Sequence, residues 1–331
     1  MNGEGLTFGI YPMSVAGTPV GLAVGPQDDY GAIQSALQEL RGKSKMLLPR
    51  NYLIYTGPEA ESRTIEVADR YLHSGLLGDL VIGCLQEPDI DMHLWLAFVR
   101  KVIHRYGASL ASLQITNEPN LSFMEGSKPY AQQALVEGVV AAKKEAVRVC
   151  PHVKIGFGSV PDGPMALPDF WESLAKLGGK PFVDSVDFVG HNFYVDVFEE
   201  PLDIAEIPAS VERTLRHLRE TNLKALGIPA SIPIRVTENG WPTGKNPFVR
   251  LERTYEHQAA VLETVIRTIY KLRLELHITH YELFGLRDAD SSKDDLFHQF
   301  GIMRDDYTLK PAYDTFKQLI FELGSDASER Q

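Results

Sequence analysis

The stretch that decides the fold is LQITNEPN, residues 113–120. It begins as an apolar strand and ends abruptly in polar residues, where a buried strand would ordinarily stop at glycine or proline. A carboxylate there is either solvated or used, and the rest of the chain has to say which. Short β-rich runs of the same kind recur: LTFGIYP (6–12), SKMLLPR (44–50), DLVIGCL (79–85) and SLQITNE (112–118), then VKIGFGSV (153–160), VDFVGHNFY (186–194), IRVTENG (234–240) and ITHYELFGL (278–286). Most are near-continuous apolar runs without polar alternation, as expected of parallel strands buried on both faces.

Segments of helical period lie between them. YGAIQSALQELRG (30–42) closes on a glycine, and DMHLWLAFVRKVIHRYG (91–107) has apolar residues at i, i+3 and i+4 and a basic last turn. The stretches 130–150 and 253–274 carry the longest helical patterns. Eight strand–helix units predict an α/β protein made of one (β/α)8 barrel, a single catalytic domain over 1–331. A doubly wound sheet would more typically carry a phosphate loop after its first strand, and none appears.

Such barrels place their chemistry at the carboxyl ends of the strands. The ends of these runs hold Arg50, Gln86, Asn117, Glu118, His191, Asn192, Tyr194, Glu238, Asn239, Trp241 and Glu282, whereas the middles are Val, Ile, Leu and Phe. Glu118 and Glu238 end the fourth and seventh runs. Two carboxyl groups facing across one cup are the minimum equipment for glycoside hydrolysis, with one as proton donor and the other as nucleophile or base. Asn117 can donate to a sugar hydroxyl. Arg50 and Tyr194 can hold Glu238 ionised, and Trp241 offers an apolar face to a pyranose. His191 reads as a substrate ligand or a core histidine, with the substrate role slightly preferred, and Asn192 beside it is a further binding candidate.

Composition narrows the partners. A formal charge of −11 over 331 residues argues against nucleic acid and anionic membrane surfaces, leaving a neutral carbohydrate open. No apolar run is long enough to span a bilayer. The N-terminal MNGEGLTFGIYP has no basic region followed by an apolar segment, so a cytoplasmic location is expected; a trimmed secreted chain would read the same. Cys84 and Cys150 read as reduced core thiols. RDADSSKDDL (287–296) gathers four aspartates but lacks the glycine of a calcium loop, and reads as a solvated acidic loop. No nucleotide, serine-hydrolase or zinc motif appears, and no metal or organic cofactor is expected.

ITNEPN and VTENGWPTG resemble the acid/base and nucleophile motifs of the retaining glycoside hydrolases of clan A. TENGWP is particularly similar to the nucleophile strand of the family 17 β-1,3-glucanases. HNFY (191–194) resembles the strand-six segment whose Tyr bonds the nucleophile, and FGIMRDDYTLKPAYDTF (300–316) the segment that closes many of these barrels. The likeness implies Glu118 as general acid/base and Glu238 as nucleophile, with the two carboxyl groups about 5 Å apart. It further implies Asn117 on the 2-hydroxyl, Tyr194 orienting Glu238, and Arg50 beneath it. Many clan members have a Trp at the end of strand eight as the floor of the sugar site; here only Phe284 or Tyr281 is available. The expected activity is hydrolysis of β-linked oligo- or polysaccharide, with β-glucan suggested by the family likeness alone. A transglycosidase would use the same residues. Two other classes stay open: a carbohydrate-binding pseudoenzyme, and a lyase or isomerase of phosphorylated metabolites using ENGWPTGKNP (238–247).

Overall fold

The structure is a computed structural model that describes residues 5–18, 21–72, 75–245 and 252–327. Its main sheet contains eight parallel strands: β1 (Thr7–Tyr11), β2 (Leu47–Tyr55), β3 (Gly78–Cys84), β4 (Leu110–Ile115), β5 (Lys154–Phe157), β6 (Phe188–Asn192), β7 (Ile234–Asn239) and β8 (Ile278–Phe284). They pair in sequence order and close into a barrel. The ring shuts because β1 pairs with both ends of the series, Thr7 in register with His280 on β8 and Phe8 with Leu47 on β2. The intervening helices include α1 (Tyr30–Arg41), α2 (Pro58–Tyr71), α3 (Met92–Tyr106), α4 (Ala131–Val149), α5 (Phe170–Val183), α6 (Ile207–His217), α7 (Tyr255–Leu272) and α8 (Pro311–Leu323). The expected (β/α)8 barrel is what the chain forms.

Backbone packing groups the residues into two compact units, one of 1–49, 193–215 and 236–331, the other of 50–192 and 216–235. In the second unit, α3 turns Trp95, Phe98, Val99, Val102 and Ile103 inward, and Asp91 caps its start by accepting from the Leu94 amide at 3.1 Å. Trp95 donates to the Ala134 carbonyl on α4 at 3.0 Å, so a large apolar ring keeps its one polar atom satisfied. In the first unit, Phe8, Tyr281 and Phe316 pack edge to face. The buried Lys310 ammonium reaches Asp288 at 2.7 Å and Thr243 at 3.0 Å, fastening the start of α8 to the loops after β7 and β8.

One strand differs from its sequence reading. The second run was expected to end at Arg50, but β2 continues to Tyr55. Arg50 and Asn51 break the apolar pattern, yet the strand tolerates them because Arg50 is fully buried and paired. Its register partner on β3 is Asp79, and the two form an ion pair. Arg50 also donates to Gln114 at 3.1 Å and to the Tyr52 hydroxyl at 2.8 Å. Ser112 bonds the other oxygen of Asp79 and accepts from Arg235 at 2.8 Å. A charge enclosed this way has several donors and acceptors to offset its lost hydration.

Candidate active site

The fourth strand does stop where LQITNEPN turns polar, and the turn is built by one residue. Thr116 sits at φ 63°, a left-handed conformation that a β-branched residue rarely adopts. Its amide donates to Ile82 on β3 at 2.8 Å, and its carbonyl accepts from Gln114 at 2.9 Å. The chain therefore leaves the barrel sharply and presents Asn117 and Glu118 at the strand end. Asn192, the last residue of β6, gathers both: its Nδ2 donates to Glu118 Oε1 at 3.1 Å and to Asn117 Oδ1 at 3.2 Å. Asn120 then ties this loop to the end of β5, exchanging two 2.8 Å bonds with the Val160 backbone.

A residue not singled out from the sequence completes this region. Glu125, on the short turn Met124–Ser127, is buried. One carboxylate oxygen accepts from the Cys84 amide at 2.7 Å and the other from the Asn117 amide at 2.6 Å. Burial pushes its pKa up to about 7, against the opposing pull of the Asn117, Cys84 and Glu118 amides. In the sequence it stands in SFMEGSKP, which looks like a solvated loop. The hint is Gly83, a glycine inside the apolar run LVIGCL (80–85): a Cβ there would lie 2.3 Å from Glu125 Oε1.

Glu238 lies on β7 and is 6% exposed. Tyr194 donates its phenol hydrogen to Glu238 Oε2 at 2.7 Å, and the Glu238 carbonyl accepts from the Phe193 amide at 3.0 Å. Around the Tyr194 ring stands an aromatic wall. Phe284 and Phe300 meet it edge to face at 6.4 and 5.6 Å, as does the half-exposed Phe198 at 5.8 Å. Phe284 stacks on Tyr11 with rings 5.0 Å apart and nearly parallel.

Strand alternation sorts the other candidates, because neighbouring residues on a strand point to opposite faces. Asn192 turns to the Glu118 loop, so His191 turns away from it. The His191 ring is 1% exposed, shares a 2.9 Å bond with Ser159 Oγ, and senses Asp162 and the His217 of α6. Burial drives its pKa down to about 3, leaving a neutral core imidazole. The preference for a substrate role at His191 is corrected accordingly. The same rule pairs Asn239 with Tyr281, whose hydroxyl donates to Asn239 at 2.8 Å behind the sheet, and leaves Phe284 as the aromatic candidate at the end of β8.

Trp241 is also corrected. It is 1% exposed, with its Nε1 bonded to Asp196 at 3.2 Å, the Arg253 guanidinium 4.3 Å over its ring and the His257 ring 4.8 Å away. Its faces are occupied by protein, so it packs a loop and offers no platform. Arg50, placed at a strand end by the sequence reading, lies in the middle of β2. The loop 287–296 is not simply solvated: Asp288 is buried on Lys310, Asp294 pairs with Lys245 at 2.6 Å, and Asp295 caps a short turn through the Phe297 amide. Cys84 and Cys150 are free thiols. Among the described residues no group of three or more His, Cys, Asp or Glu side chains is placed to hold a metal ion, and no helix is long and apolar enough to cross a membrane.

No protein-family model and no curated protein sequence matches the chain. Solved structures do. A family 39 glycoside hydrolase from Bacteroides cellulosilyticus WH2 is similar over 97% of this chain and 64% of its own, with a TM-score of 0.60 at 16% identity. A β-D-glucuronidase from Dictyoglomus thermophilum aligns over 98% of this chain and 51% of its own, with a TM-score of 0.57 at 15% identity. A Rhizomucor miehei β-1,3-glucanosyltransferase aligns over 92% of this chain and 96% of its own, with a TM-score of 0.51 at 14% identity. The chain thus spans between about half and two thirds of the length of the first two. At these identities the likeness is one of fold.

Proposed function

We propose that the chain is a retaining β-glycosidase in which Glu118 is the general acid/base and Glu238 the nucleophile. The observation that carries this reading is that both carboxylates stand at the carboxyl ends of strands in one closed parallel barrel, each held by a dedicated donor: Asn192 on Glu118 and Tyr194 on Glu238. The phenol of Tyr194 donates to Glu238 Oε2 and fixes where that carboxylate stands. Glu238 attacks the anomeric carbon while Glu118 protonates the departing oxygen; Glu118 then takes a proton from the water that releases the sugar. Asn117 and Asn192 bind sugar hydroxyls, Phe284 stacks beneath the ring, and Arg50 supports the floor of the cup through its Asp79 pair. Neighbouring solved structures named as a family 39 glycoside hydrolase and a β-D-glucuronidase support the same class.

A second reading, transfer of the sugar to another carbohydrate, is favoured by one observation: the glucanosyltransferase is matched over 96% of its own length. Of the phosphate-binding reading of 238–247, Asn246 and Pro247 lie outside the described residues; among the others Trp241 is enclosed and Lys245 is paired with Asp294, which does not favour it.

The test is a panel of β-linked oligosaccharides and aryl β-glycosides, assayed with the wild type, Glu118→Gln and Glu238→Gln. The first-formed anomer is read by NMR. Turnover lost on every substrate in Glu238→Gln and on the oligosaccharides in Glu118→Gln, with the β anomer formed first by the wild type, is expected. Activity surviving in Glu238→Gln would sink the nucleophile assignment, and products longer than the substrate would establish transfer.

A further inference from the structure

We propose that Glu125 is a positioning residue for Glu118: its carboxylate receives the backbone amides that precede and begin the catalytic loop and fixes where the proton donor stands. The inference rests on Glu118 being the acid/base. Three donors converge on this one side chain. The Cys84 amide, at the end of β3, bonds Oε1, the Asn117 amide bonds Oε2, and the Glu118 amide adds a third interaction. The ionised carboxylate suits such a cluster, because in that form both of its oxygens only accept. Glutamine at the same length would turn an NH2 group onto one of the amides.

Two further features show that the arrangement is built around the carboxylate. Gly83 leaves the space into which Oε1 fits; a Cβ there would approach it to 2.3 Å and its carbon to 3.1 Å. On the other side the turn is compact: Met124 adopts φ 54°, and a Cβ on Gly126 would lie 1.8 Å from the Leu121 carbonyl. The buried Glu125 thus has its backbone fixed by the turn and its head fixed by the amides. Glu125 bridges two strand ends, with Oε1 on the Cys84 amide of β3 and Oε2 on the amide immediately before Glu118, whereas Asn120 joins the far side of this loop to Val160. Misplacing a catalytic group by about 1 Å can cost about 100-fold.

The experiment compares wild type and Glu125→Gln on a series of aryl and alkyl β-glycosides of the sugar that the wild type accepts. Leaving groups range from strongly activated to poor, with kcat and KM read separately and thermal unfolding recorded alongside. A displaced acid matters where the leaving group needs a proton and little where it does not. The expected result is a kcat/KM loss of about 10- to 100-fold on poor leaving groups and under about 3-fold on activated ones, for which kcat falls instead because the water step needs the same group as base. Gly83→Ala, which crowds Oε1 without removing the carboxylate, should give the same pattern and serves if Glu125→Gln does not fold. Losses equal across the series, or unchanged kinetics in the folded variants, would overturn the positioning role while leaving the glycosidase standing. A wild type inactive on every substrate would overturn both.

Discussion

The two candidate carboxylates are supported in different ways. Around Glu118 the structure is backbone and amide: a left-handed Thr116, the Asn192 side chain, and a buried Glu125 holding main-chain N–H groups. Around Glu238 it is aromatic: the Tyr194 phenol, flanked by Phe284, Phe300 and Phe198. The contrast fits two jobs. A group that alternately gives and takes a proton has to keep its position in both states, and neutral donors anchored to the loop provide that. A group that must reach carbon along one line is served by the Tyr194 phenol, which the surrounding aromatic rings pack in place.

That contrast can be broken experimentally. The largest effect is expected at Glu238→Gln, with kcat falling about 10^4-fold or more on every substrate, whatever the leaving group. Glu118→Gln should lose about 10^2- to 10^4-fold in kcat/KM on poor leaving groups and much less on activated aryl glycosides, as steady-state kinetics across such a series would show. If both variants respond to the leaving group alike, the two regions do not have separate roles. Trp241→Ala should cost about 3–5 kcal/mol of stability in denaturant unfolding, with KM for a stable fraction unchanged, because the ring packs on Arg253 and His257 and not on sugar. Tyr194→Phe removes one hydrogen bond to a charged group and should lower kcat by about 10- to 100-fold with the fold intact.

The smallest expected effect concerns His191. Its folded pKa lies near 3, below the ordinary value of 6.5, so the unfolded chain binds the extra proton first. The stability this group contributes is complete above pH 6.5 and declines as the pH falls toward 3. The slope is about 1.4 kcal/mol per pH unit for one proton. Unfolding free energies of wild type and His191→Asn measured between pH 4 and 7 should therefore converge as the pH drops. Parallel curves would show that the imidazole is accessible after all.

The barrel was legible because eight apolar runs alternate with helical patterns, and the two candidate carboxylates stood out because they interrupt such runs at their ends. What remained hidden was hidden for physical reasons. The alternation that turns Asn192 and His191 to opposite faces is a property of the strand, and a list of strand-end residues ignores it. Arg50 looked terminal because a charge inside a buried strand is rare, and its partner Asp79 lies on another strand. The enclosure of Trp241 depends on Arg253 and His257, later in the chain, and nothing local announces it. Glu125 has the surroundings of a surface loop in sequence and of a core in space.

Gly83 and Glu125 also constrain each other as heritable positions. Any side chain at 83 meets the carboxylate, and any side chain but a carboxylate at 125 leaves at least one amide without its acceptor. Neither position can drift alone. Gly83→Ala should be harmful by itself and partly repaired by Glu125→Asp, whose head is one methylene shorter, so the two sites should change together or stay fixed as lineages diverge.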